Sequence, residues 1–208
     1  KVSKVVIDNI SNVFSMGEAA ASEPTLGDKF LADNNNLKLL ADHEGNESEP
    51  YNLKYPVNGK EVIEDFQTVG KGHRITGAEE KSGMIYNHIF RNKDGSINPL
   101  TQDQIDDIFK RDVKKAVTLV NDLGKNSTIN FDTINSSAYN ILVQMAFQMG
   151  SNPKTKKGLA GFEKTLQFIK DGKYTKASKE MLDSTWHDQT PKRAKELSNL
   201  MAKIPDNK

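Results

Sequence analysis

Apolar residues at Ile105, Ile108, Phe109, Val113, Ala116, Val117 and Val120 recur every three or four positions, the spacing that lays one face along an α-helix of about five turns. A stripe that long must be covered, and the next segment can cover it. Ile134, Ala138, Ile141, Leu142, Met145 and Met149 trace a second helical face, and Val143, Ala146 and Phe147 fill its flanks, so burial nearly all round is expected. Thr101 and Gln104 form a capping-box pattern ahead of the first helix. The second is expected to start near Asp132 and to stop at Gly150. Shorter helices follow over Phe162–Lys170, Thr175–Leu182 and Pro191–Met201, the last with Thr190 as cap and Pro191 in its first turn.

Upstream the pattern changes. Asn34–Asn36 can cap a short helix through Leu37, Leu39, Leu40 and Ala41 that ends near Glu44-Gly45. Tyr51–Val57, Asn58-Gly59 and Lys60–Val69 read as a β-hairpin, because Asn-Gly favours a two-residue turn. The expected class is α+β, mostly α-helical: a β-containing lobe over 45–100, a linking helix over 101–122 and a helical lobe over 123–208. Residues 1–33 are poorly patterned and are read as an extension or linker. The chain opens on Lys1, which suggests a processed or trimmed piece of a longer product.

Composition narrows the function classes. Hydrophobic residues at 36% and charged residues at 27% suit a soluble globular chain, and no run approaches the roughly 18 apolar residues of a membrane span. With no cysteine, disulfides and thiolate metal sites are excluded, and the histidines at 43, 73, 88 and 187 lack metal-ligand spacing. From Lys154 onward 13 Lys and Arg face 7 Asp and Glu, against 16 and 21 in the rest. That basic part suits a polyanion or a solvated surface. A nucleic-acid-binding role rests on this charge alone, without a recognisable motif.

Three features carry candidate chemistry. Glu44 sits at an expected helix end, where the negative end of the dipole favours the proton-bearing form from which a general acid starts. The stretch from Thr68 to His73 reads Thr-Val-Gly-Lys-Gly-His, a strand end whose glycines admit a close ligand or make a plain turn. Asp112 falls on the apolar stripe of the long helix and needs a partner. His73 is the candidate, as a structural pair.

Together these residues resemble a known family. Glu44-Gly45, Tyr51 seven positions on, and the Thr68–His73 stretch are similar to the glutamate, tyrosine and Thr-x-Gly-x-Gly-His signature of the T-even bacteriophage lysozymes, glycoside hydrolase family 24. The likeness continues through Phe109–Val113, Met145–Gly150, Leu159–Phe162 and Trp186–Ala194. It spans roughly residues 35–204 and leaves 1–33 outside. The resemblance implies a lysozyme-like two-lobed fold and cofactor-free hydrolysis of the β-1,4 bond between N-acetylmuramic acid and N-acetylglucosamine. It implies Glu44 as general acid, Thr68 placing the attacking water, Arg193 pairing with Glu44, Gln148 near the substrate, and His73–Asp112 as a structural pair. Bacterial peptidoglycan is the implied partner, with no nucleic acid and no membrane insertion. The implied setting is a phage endolysin passing from host cytoplasm to periplasm, or a tail-associated virion lysozyme whose residues 1–33 touch phage structural proteins.

One departure stands out. The family's second acid, an aspartate, lies two residues after the tyrosine and six before the threonine; those positions here are Leu53 and Val62. Glu44 and Thr68 are 24 positions apart, so the hairpin is lengthened. Pairing it about Asn58-Gly59 sets Val57 opposite Lys60, Leu53 opposite Glu64 and Asn52 opposite Asp65, and Glu64 shares strand parity with Thr68. Glu64 is therefore the candidate second carboxylate, and Asp65 the rival if a bulge shifts the parity. If neither serves, the alternative is a catalytically weakened module that binds peptidoglycan or a partner in a phage particle.

Overall fold

A computed structural model describes residues 23–57, 60–125, 131 and 134–207. The chain has a lysozyme-like α+β fold, mostly helical, with two cores threaded by one long helix. In chain order the elements are α1 (Leu26–Ala32), α2 (Asn34–Ala41), β1 (Glu47–Val57), β2 (Lys60–Gly70), β3 (His73–Arg74), α3 (Gly77–Ser82), β4 (Met84–Ile85) and β5 (His88–Ile89). Then follow α4 (Gln102–Lys125), α5 (Ser136–Met149), β6 (Ser151–Asn152), β7 (Lys157–Gly158), α6 (Glu163–Lys170), α7 (Tyr174–Leu182), α8 (Thr185–Gln189) and α9 (Pro191–Ala202). Among the described residues no helix is long and apolar enough to cross a membrane.

α4 joins the lobes because its apolar stripe is shared between two cores. Ile105 and Ile108 pack with Val69, Ile75, Ile85, Phe90 and Leu100 in the β lobe. Phe109, Val113, Ala116, Val117, Val120 and Leu123 pack against α5 and the helices after it. Thr101 caps α4 reciprocally: its backbone N–H donates to Gln104 Oε1 at 2.8 Å, and the Gln104 N–H donates to Thr101 Oγ1 at 3.4 Å. α5 is buried from Ala138 to Ala146 apart from Asn140. Gly150, at φ +67°, ends it.

Four expectations are corrected. α5 begins at Ser136 with Asn135 as its cap; Asp132, where the start was expected, lies outside the described residues. α2 is capped by Asp33, whose carboxylate accepts from the Asn35 N–H at 2.8 Å, rather than by Asn34–Asn36. Within the stretch read as an extension, residues 25–33 are built in: Thr25 and Asp28 form a capping box, and Phe30 is fully buried in the larger core. That helix was missed because a single buried aromatic per seven residues gives no periodic stripe. α8 was missed as well, being only one turn long.

The fourth correction concerns register. β1 and β2 pair with Val57 opposite Lys60 and Lys54 opposite Ile63, but Asn52 then faces Gln67 and Tyr51 faces Thr68. Two extra residues of β2 are accommodated between these pairs, so Leu53 does not face Glu64 and Asn52 does not face Asp65. The Asn52 amide stabilises the irregularity, donating to the Glu64 carbonyl at 2.9 Å and the Phe66 carbonyl at 3.2 Å. These bonds occupy carbonyls that a bulge takes out of the ladder. The Asn58-Gly59 turn lies outside the described residues.

Candidate active site

The chain leaves α2 through a turn that delivers Glu44 and Gly45 to the end of the sheet. The Glu44 carboxylate is largely buried and pairs with the Arg193 guanidinium, projected from the first turn of α9. One residue earlier, His43 Nε2 lies 3.2 Å from Glu196 Oε2, at ion-pair distance though outside hydrogen-bond geometry. Arg193 and Glu196 are three positions apart and share a face of α9. The Glu44–Arg193 ion pair and the close approach of His43 to Glu196 therefore tie the Glu44 turn to the C-terminal helix.

The other wall is the sheet. Tyr51, Thr68 and Arg74 are direct partners across β1, β2 and β3, so their side chains share one face. Val69, next along β2, points the other way into the β-lobe core. Thr68 is only 2% exposed, yet its Oγ1 has no hydrogen-bond partner among the described residues. A buried hydroxyl in that state is able to bond to substrate or water. The Tyr51 hydroxyl lies close to Gly45. Burial raises the Tyr51 pKa most, with the Glu44 and then the Glu47 charge adding to it.

Gly70-Lys71-Gly72 turns β2 into β3. Both glycines have positive φ, and a Cβ on Gly72 would strike the Glu44 carboxylate. Lys71 ties the turn to α4 through Asp106 at 2.7 Å. The backbone thus comes up to the acid as closely as a glycine permits. No phosphate-binding arrangement is required to explain either glycine.

His73 and Asp112 meet, Nδ1 to Oδ2 at 2.7 Å, with Glu79 at 3.3 Å from Nε2 and Tyr86 donating to the other Asp112 oxygen at 2.6 Å. Burial opposes the imidazolium most strongly, but the bond to Asp112 and the charges of Asp112 and Glu79 together outweigh it and raise the His73 pKa. Glu79 and Tyr86 carried no sequence signal, since neither lies on the long helix. Gln148 sits at the end of α5, where its Oε1 accepts from the Trp186 indole N–H at 2.8 Å.

Glu64 lies in the irregular stretch of β2, its Oε2 buried without a hydrogen-bond partner among the described residues. Burial raises its pKa; the Arg74 charge opposes this and Asp65 adds to it. Asp65 is exposed. Arg74 had no signal in the sequence, and only the tertiary structure reveals that its guanidinium lies 3.5 Å over the Phe66 ring.

The lysozyme-like fold carries a glutamate–arginine pair at the Gly72 turn and a buried threonine on β2. No protein-family model matches it. It is 29% identical over 161 residues to Probable T4-type lysozyme 1 of Dictyostelium discoideum, covering 72% of this chain and 90% of that protein. Probable T4-type lysozyme 2 of the same organism is 28% identical over 158 residues, 71% of this chain and 89% of that one. The pre-baseplate central spike protein Gp5 of Enterobacteria phage T4 is 27% identical over 145 residues, 66% of this chain and 24% of that longer protein. Over about seven tenths of its length the chain is similar to these two T4-type lysozymes.

Proposed function

We propose that the protein is a muramidase that cleaves the β-1,4 bond between N-acetylmuramic acid and N-acetylglucosamine in peptidoglycan with inversion. The observation that carries this reading is the Glu44–Arg193 pair held against Gly72, at the end of a sheet face whose Thr68 hydroxyl is buried and unpartnered. In the proposed reaction Glu44 donates a proton to the leaving glycosidic oxygen. A water positioned by Thr68 attacks the anomeric carbon from the opposite face, its oxygen forming the new bond as the old one breaks. Its proton passes to a second carboxylate, for which Glu64 is the candidate on β2 and Asp65 the rival. Inverting glycosidases leave about 6.5–9.5 Å between their carboxyl groups for that water. Arg193 neutralises the Glu44 carboxylate once its proton has left.

Gln148, held by Trp186 at the end of α5, is proposed to meet the glycan, and His73–Asp112 to brace the β lobe from behind the site. The similarity to part of a phage central spike protein supports a virion-borne role in wall penetration. A catalytically weakened wall-binding module is the second reading, favoured by Leu53 and Val62 standing at the positions of the family aspartate.

Clearing of permeabilised Gram-negative cells tests the proposal. The wild-type protein is expected to lower turbidity, and Glu44→Gln to reduce the rate by about a thousandfold or more, as loss of a general acid does. Mass spectrometry of the released fragments identifies the bond, and NMR of the first-formed anomer the stereochemistry. No clearing by wild type at any pH, with retained binding to isolated sacculi, overturns the enzymatic reading in favour of the binding module.

A further inference from the structure

The chain has four arginines, and three of them are answered by carboxylates within the fold. Arg91 meets Glu80 at 3.0 Å, Arg111 meets Asp107 at 2.9 Å, and Arg193 pairs with Glu44. Arg74 is the exception: it is exposed, and among the described residues its side chain makes no ion pair and no hydrogen bond. It is nonetheless held in place. Its guanidinium lies 3.5 Å over the Phe66 ring, which covers one face of the planar group and removes much of the freedom of a long side chain. A guanidinium donates in its own plane, so stacking leaves that edge available to an outside acceptor.

The position is on the substrate side. Arg74 is the direct β3 partner of Thr68, and Phe66 lies two residues before Thr68 on β2. All three side chains therefore share the face on which the glycan is proposed to lie. That face runs from a buried hydroxyl to an exposed, braced cation one strand away. The carboxylates of Glu64 and Asp65 on β2 form no ion pair with it. A planar donor fork without a protein partner is complementary to a carboxylate, which accepts two parallel N–H bonds. Along a strand of alternating N-acetylglucosamine and N-acetylmuramic acid, only the muramic acid unit brings a carboxylate, on its lactyl group or on the peptide attached there.

We propose that Arg74, braced on Phe66 beside Thr68, is a specificity-determining residue that binds a carboxylate borne by the muramic acid unit. It thereby favours acid-bearing peptidoglycan over uncharged N-acetylglucosamine polymers. The proposal rests on the reading of the Thr68 face as the place where the glycan lies.

The test compares wild type, Arg74→Leu, Arg74→Lys and Phe66→Ala, each confirmed folded by its circular dichroism melt. Three soluble glycans serve as substrates: peptide-bearing strands, strands stripped of peptide by an amidase so that the lactyl carboxylate is free, and N-acetylglucosamine oligomers, which carry no acid. Arg74→Leu is expected to raise KM on acid-bearing strands by about tenfold, the worth of a charge-assisted hydrogen bond, with kcat nearly unchanged. Arg74→Lys recovers only part of this, because lysine lacks the fork, and Phe66→Ala loses several-fold by freeing the arginine. Values on the oligomers stay at those of wild type. A loss confined to peptide-bearing strands assigns a peptide carboxylate, and a loss on stripped strands the lactyl group. Calorimetry with the same proteins carrying Glu44→Gln reads the affinities without turnover. Absence of cleavage by wild type therefore strikes the muramidase reading, while an Arg74-dependent preference for acid-bearing strands still upholds this proposal. Equal losses on all three glycans, or no change in KM and affinity on either acid-bearing strand, overturns it.

Discussion

Replacing Asp112 by asparagine tests the buried ionic cluster behind the site. His73 is 6% exposed and Asp112 14%, and their 2.7 Å contact is supported by Glu79 at 3.3 Å and by the Tyr86 hydroxyl at 2.6 Å. Breaking a buried pair by removing one partner costs about 3–5 kcal/mol. Glu79 remains as a second acceptor and asparagine keeps one hydrogen bond, so the loss expected here is about 2–3 kcal/mol at pH 5.5. For a chain of this length that is a fall in Tm of about 4–12 °C.

The loss must also depend on pH. The folded-state pKa of His73 is raised above its unfolded value, so its ionic contribution is fully present below about pH 6.5 and disappears as pH rises through the folded value. Calorimetric or circular dichroism melts of both proteins from pH 5 to 9 measure this directly. The gap between wild type and Asp112→Asn should narrow toward alkaline pH. A gap that is constant across the range, or widest at pH 9, refutes the assignment of a charged His73 to the pair.

Three further changes probe separate links between sequence and site. Phe30→Ala should cost about 3–5 kcal/mol, as expected for a fully buried aromatic, and a loss under about 1 kcal/mol by thermal melt would show that α1 is peripheral. Gly72→Ala should displace the Glu44 carboxylate, lowering the clearing rate by about tenfold or more for a cost of about 1–2 kcal/mol at a positive-φ site; wild-type activity would contradict the close approach. Asn52→Ala removes both amide bonds to the β2 irregularity and should reduce clearing several-fold with a loss of about 1–2 kcal/mol, whereas unchanged stability would mean the bulge holds its shape without them.

The helical lobe was legible in the sequence because its information is local. The stripe from Ile105 to Val120, the Thr101–Gln104 cap and the stop at Gly150 are written in neighbouring residues, and the structure follows them. The hairpin was legible in outline, with Val57 opposite Lys60, but its register beyond Lys54 was not. A bulge is chosen by what the strands pack against and by a side chain such as Asn52, twelve residues from the carbonyl it holds. Glu44, Thr68 and Arg193 were singled out from motif resemblance. Their juxtaposition, the close approach of Gly72 and the stacking of Arg74 on Phe66 belong to tertiary structure alone. Helical periodicity records what each residue does for its own segment. An ion pair across 149 positions leaves no periodic trace, because only the packing of α9 against the rest of the fold brings its two charges within reach.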